Sequence, residues 1–106
     1  MTLNQLQTNC VKNLPKYLTR GDETLLSLLG LNSAAGDLAG MYKKTLYEGA
    51  ELPQKEFVEA LGNCIYFVAI AAHGVDIDLE SIMKQVNEQC VKSRETESDA
   101  GDKKGE

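Results

Sequence analysis

Val58-Glu59-Ala60-Leu61-Gly62-Asn63-Cys64-Ile65-Tyr66-Phe67 decides how this chain folds. The stretch lies in a longer run where Phe57, Leu61, Cys64, Val68 and Ala72 recur at helical spacing, and the run is apolar on most sides. That pattern predicts a helix, and the most buried one of the domain. Gly49 and Pro53 punctuate the loop before it, and Gly74 suits its C-cap. Asp78 then starts another helix, with Leu79, Ile82, Met83, Val86 and Cys90 as its inner face.

Toward the N-terminus, Thr2 and Gln5 have the spacing of a capping box. Leu3, Leu6, Cys10 and Leu14 give one apolar face, which Pro15 ends. Residues 16–21 read as a loop, with Asp22 as N-cap of the next segment, in which Leu25, Leu26, Leu28 and Leu29 are concentrated. Leu31, Ala35, Leu38, Tyr42 and Leu46 continue that stripe. Gly30, Gly36 and Gly40 each weaken a helix by roughly 1 kcal/mol relative to Ala, and a break near Gly30 is expected. Four main helices with short loops predict an all-α, antiparallel four-helix bundle over residues 1–91. From Lys92 to Glu106 no large apolar side chain occurs, and charges of both signs alternate, so residues 92–106 are expected to form a disordered charged tail.

At 106 residues the chain supports one domain with one core, and its 42% apolar content is mostly aliphatic. A net charge of −5 and the lack of a basic stripe argue against nucleic-acid or anionic-membrane binding. Cys10, Cys64 and Cys90 are odd in number and far apart, which suggests neither a disulfide scaffold nor a zinc site, and fits a reducing cytoplasm. No cationic leader is read at the N-terminus, and no apolar stretch is expected to approach the length of a membrane span.

Several short pieces carry a resemblance. They are Met1-Thr2-Leu3-Asn4, Arg20-Gly21-Asp22-Glu23, Gly30-Leu31, Gly36-Asp37-Leu38, Lys43-Lys44, Glu59-Ala60-Leu61-Gly62 and Ile77-Asp78-Leu79-Glu80. In this order and spacing the chain resembles the MazG-like, all-α nucleoside-triphosphate pyrophosphohydrolases over nearly its whole length. The resemblance implies an ExxE motif on the second core helix and an ExxD motif on the third. A three-residue spacing puts both carboxylates of a motif on one helical face, and two such faces cage the Mg²⁺ that holds a nucleotide's phosphates. The metal then activates water, releasing pyrophosphate and a nucleoside monophosphate. It also implies a dimer or tetramer with the nucleotide near a subunit interface.

In this chain the ExxE positions fall on Ala34 and Asp37, and the ExxD positions on Ala60 and Asn63. Asp37 alone keeps a carboxylate. Mg²⁺ gives up its waters reluctantly, so a site with one carboxylate binds it weakly. Glu59 lies four residues before Asn63 and Glu56 seven, and both project near that face, where they either supply substitute ligands or form a solvated helix surface. Lys43 and Lys44 match a pair that can meet a phosphate, or simply place positive charge near a helix C-terminus. The Asn and Lys that the family often carries on its last core helix fall on Val86 and Gln89, with Asn87 one residue off register. Tyr42, Tyr66 and Phe67 suit a base-stacking pocket, a core or a subunit interface.

His73, the only histidine, has no acidic or nucleophilic partner at a readable spacing, which disfavours a general-base role. Cys64 and Cys90 sit on apolar stripes and read as core residues.

Two functions follow. One is a catalytically degenerate homologue, compatible with a phage-encoded origin, that keeps the scaffold as a binding module for a protein partner or a nucleotide and needs no cofactor. The other is an active Mg²⁺-dependent enzyme converting (d)NTPs to (d)NMP and pyrophosphate. Losing clustered carboxylates relieves their mutual repulsion, so the degenerate form is expected to fold stably without metal.

Overall fold

The computed structural model describes the backbone of residues 1–104 and the side chains of residues 1–96. The chain is all-α, and its helices are α1 (Leu3–Lys12), α2 (Arg20–Glu48), α3 (Gln54–Gly74) and α4 (Leu79–Lys104). The expected capping box opens α1: Gln5 N–H donates to the Thr2 hydroxyl, and Thr2 N–H to the Gln5 side chain. A second capping box opens α2, with Thr19 as the N-cap and Asp22 three residues in. The expected N-cap at Asp22 is thus corrected, because a hydroxyl at Thr19 leaves Asp22 free to reach back to the Thr19 N–H. Gly49 ends α2 in the left-handed region at φ 72°. Gly74 is the last residue of α3 rather than its cap, which is Val75. Asp78 does start α4, accepting from the Ser81 N–H and hydroxyl.

No break occurs at Gly30. A propensity cost of about 1 kcal/mol is outweighed by packing, since the missing Cβ makes room for a ring. A Cβ on Gly30 would stand 2.5 Å from Phe67 Cε1. Gly74 serves the same purpose at the other end of the hairpin, where a Cβ would overlap the Thr24 hydroxyl and stand 2.8 Å from the Arg20 carbonyl oxygen. These two approaches fix the register: Thr24 of α2 lies beside Gly74 of α3, and Gly30 beside Phe67.

The seam between α2 and α3 is lined by Thr24, Ser27, Leu31, Ala34, Leu38 and Met41, all buried or half-buried. The alternating three- and four-residue spacing is that of an antiparallel coiled pair. On α3 the matching row includes Phe57, Ala60, Cys64 and Phe67. Of the stripe expected on α2, Leu31 and Leu38 line the seam, whereas Ala35, Tyr42 and Leu46 are exposed, as are Leu25, Leu26, Leu28 and Leu29. Small side chains win the seam because they allow the axes to approach. On α3, Leu61 is likewise exposed.

On the far side of α3, Cys10, Ala69, Ile70 and Leu79 form the core cluster, with Leu6, Leu14 and Met83 packed against it. Gln7 ties this corner together. Its amide donates to the Ala69 and Ile77 carbonyls and accepts from the Leu79 N–H, each at 3.0 Å. Among the described residues α2 has α3 as its only helical neighbour, so the four helices are arranged openly. The radius of gyration is 17.8 Å, against about 13 Å for a compact chain of this length.

α4 touches the core only at its start, and every residue from Lys84 to Thr96 is exposed. Val86 and Cys90 are consequently corrected from inner-face to exposed positions, because no neighbouring helix reaches that far. The segment expected as a tail from Lys92 is helical as far as Lys104, while Gly105 and Glu106 lie outside the described residues. Glu, Lys and Arg are good helix formers, and extending an existing helix avoids the cost of nucleation.

α3 also corrects the expectation about membrane-length segments. It has 21 residues, with an 18-residue window of mean hydropathy 1.3, which meets the length and composition needed to cross a membrane. The same values arise in a core helix flanked by neighbours, and α3 contacts α1, α2 and α4.

Glycine substitutions should separate propensity from packing. Gly62, with nothing near its missing Cβ, gains roughly 0.5–1 kcal/mol of stability as Gly62→Ala. Gly74→Ala instead costs roughly 1–3 kcal/mol, because the Arg20 backbone cannot yield as a flexible side chain can. Urea unfolding followed by circular dichroism measures both; equal effects would refute the close-approach account.

Candidate functional site

The register of the α2–α3 hairpin brings the two motif segments face to face. With Gly30 beside Phe67 and Thr24 beside Gly74, Ala34 comes level with Asn63, and Asp37 with Ala60. Ala34 and Ala60 are 6% and 7% exposed and belong to the seam itself. Asp37 and Asn63 come one turn position later on the exposed edge of the same hairpin. A side chain longer than a methyl at Ala34 or Ala60 would push the helices apart unless a ligand held it at the edge.

Glu56 and Glu59 are exposed on α3. Among the described residues no group of three or more His, Cys, Asp or Glu side chains is placed to hold a metal ion. Asp37 opens instead, with Lys44, into a cavity of about 490 Å³. Gly36, Gly40, Met41, Ala50, Glu51 and Pro53 line the rest of it. The volume falls within the range of small-molecule sites. Lys43 is exposed and does not line that cavity, and Asn87, Val86 and Gln89 stand on the exposed part of α4. The nucleotide residues expected from the sequence are therefore dispersed, with Lys44 alone beside Asp37.

A feature that sequence reasoning missed lies at the other end of the hairpin. His73 does have an acidic partner: its Nδ1 stands 3.0 Å from Glu23 Oε2, and the Glu23 side chain is only 11% exposed. Arg20 donates to the His73 carbonyl and pairs with Asp76 at 2.9 Å, an exposed contact of small energetic weight. The fifty-residue separation hides the pair in a linear reading. The hairpin register would have revealed it, since Glu23 and His73 each precede a partner of the Thr24–Gly74 contact. A buried carboxylate against the imidazole satisfies both groups and clamps the hairpin end.

Tyr66 and Phe67 meet edge to face, with ring centroids 5.4 Å apart, and Phe67 is seated on Gly30. They are packing residues rather than walls of the Asp37 cavity. Cys64 is half-buried at the seam, while Cys90 is exposed.

Compared with protein-family models, with curated proteins and with solved structures, the chain matches none.

Among the described residues two ionisable groups are shifted. Burial pushes the Cys10 thiol above its ordinary value. The Ser81 hydroxyl, bonded to Asp78, holds that carboxyl below the usual carboxylate range. A raised folded pKa stabilises below the unfolded value and is lost as pH rises through the folded one; a depressed carboxylate does the reverse. Stability should therefore decline in acid below about pH 4 through Asp78, and in alkali above about pH 8.5 through Cys10. Asp78→Asn removes the first decline and Cys10→Ala the second, read by thermal unfolding across pH. Unaltered profiles in both variants would refute the assignment.

Proposed function

We propose that this chain is a catalytically degenerate, cytoplasmic homologue of the MazG-like nucleotide pyrophosphohydrolases, and that it uses the retained helical hairpin as a binding module. The observation that carries this reading is the burial of Ala34 and Ala60 in the α2–α3 seam. Where the resemblance implies carboxylates, the chain has methyl groups that hold the helices together. An acidic cage has to keep its helices far enough apart for metal and water, whereas at these two positions the seam is closed by alanine. Asp37 belongs to no group of three metal-binding side chains among the described residues, and one carboxylate is too little to hold Mg²⁺ firmly.

A protein partner suits such a module better than a nucleotide, because the residues matched to nucleotide contact are scattered over α2 and the exposed part of α4. A second reading, an active Mg²⁺-dependent pyrophosphohydrolase, draws on one observation: Asp37 and Lys44 share a cavity large enough for a nucleotide fragment.

Purified protein incubated with NTPs and dNTPs plus Mg²⁺ or Mn²⁺ should release no pyrophosphate, and its melting temperature should not respond to either metal. Restoring the motif with Ala34→Glu, Ala60→Glu and Asn63→Asp should lower the melting temperature without metal and recover it when metal is added, since buried carboxylates repel until a cation is bound. Metal-dependent turnover by the natural chain, abolished in Asp37→Ala, would overturn the degenerate reading in favour of the enzyme.

A further inference from the structure

Three charged residues line the cavity beside Asp37: Asp37 itself and Glu51, which are negative, and Lys44, which is positive. Among the described residues none of the three makes an ion pair, since the pairs there are Arg20–Asp76, Glu23–His73 and Glu80–Lys84. Each charge is therefore free to meet one from outside.

Their order along the cavity follows from the backbone. Lys44 lies two turns beyond Asp37 on α2, about 10.5 Å along the axis. Gly49 ends α2 in the left-handed region, and the N–H groups of Gly49 and Ala50 both donate to the Lys44 carbonyl. The loop is thereby folded back on the turn of α2 that carries Lys44, and Glu51 is its next residue. One end of the cavity thus holds an ammonium and a carboxylate, and the other holds the Asp37 carboxylate. Gly40 and Met41 lie between them on α2, and Pro53 adds a further apolar surface.

We propose that this cavity binds a free basic α-amino acid, of which arginine fits best. An α-amino acid carries an ammonium and a carboxylate on one carbon, the complement of Glu51 and Lys44. Its side-chain cation is the complement of Asp37, and a planar guanidinium gives a carboxylate two parallel hydrogen bonds. Extended arginine holds its guanidinium carbon roughly 6 Å from the α-carbon. A hydrogen bond of about 3 Å at each end lets it span the two turns between Lys44 and Asp37. Its methylene stem then lies on Met41 and Pro53, as long cationic side chains lie on apolar surface. Two cations and one anion on the ligand balance two carboxylates and one ammonium on the protein. A volume of about 490 Å³ admits such a molecule together with water. A nucleotide complements the same charges poorly, because without a metal its phosphates face two carboxylates. The arginine site rests on the metal-free reading of Asp37, since a bound Mg²⁺ would take the place of the guanidinium.

Calorimetry of the full chain in EDTA, with L-arginine, agmatine and L-citrulline as probes, tests this. L-arginine should bind once per chain. Agmatine lacks the carboxylate and citrulline lacks the side-chain charge, so each should bind roughly tenfold or more weakly. Asp37→Asn should abolish the preference for arginine over citrulline, and Lys44→Met the preference over agmatine, each leaving the other preference in place. Both residues are exposed, so both variants should keep the natural circular dichroism spectrum. No heat with millimolar L-arginine overturns the proposal. So does binding of agmatine and citrulline as tight as that of arginine, or selectivity unchanged in both variants, which would put the amino acid elsewhere. Pyrophosphate release from nucleotides in Mg²⁺ reports separately on the degenerate reading. Absence of both turnover and arginine binding overturns the arginine site alone, whereas turnover abolished by Asp37→Ala overturns both.

Discussion

The close approach of α2 and α3 sets nearly everything else in this protein. Gly30 seats Phe67, Gly74 admits Thr24, and Ala34 and Ala60 face into the same seam, so small side chains let the helix axes draw together. Packing at that distance admits only Leu31 and Leu38 of the α2 leucines beside small seam residues, and leaves Leu25, Leu26, Leu28, Leu29 and Leu46 turned outward. The exposed leucines of α2 are thus a consequence of the tight seam. So is the register that brings Glu23 to His73 at one end and Asp37 level with Ala60 in the middle.

The helices and their boundaries were largely legible from the sequence. Capping signals at Thr2 and Asp78 and the breaks at Gly49 and Pro53 depend on local geometry, which residue type alone reveals. Thr19 was overlooked because Asp22, a strong N-cap residue, sits three positions later in the other half of the same box. The facing of α2 was misread for a physical reason: a hydrophobicity stripe finds the greasiest side, whereas a close helix pair selects the smallest. When a chain has a second apolar surface, those two sides differ. Inner-face assignments at Val86 and Cys90 failed similarly, since periodicity shows that a helix has an apolar side and not whether anything lies against it.

For the candidate site, the positions on α2 and α3 could be read in advance, and the register puts them opposite each other. What could not be read was that Ala34 and Ala60 serve the seam and that His73 finds Glu23. Each depends on how two helices far apart in sequence are aligned, and that alignment is set by two glycines whose roles appear only in contact. Composition counts carboxylates but does not place them.

Gln7 has a consequence for the order in which the domain can assemble. All its hydrogen bonds run to the corner between α3 and α4, at separations of 62, 70 and 72 residues, and Asn4 reaches Glu80 across 76. Of these four helices α1 is made first, and the partners of Gln7 on α3 and at the start of α4 follow only 62 or more residues later. Long-range closure of this kind slows folding, while the hairpin between them can form from contacts nearer in sequence. α1 is therefore the helix that completes this arrangement, although it precedes the other three in the chain.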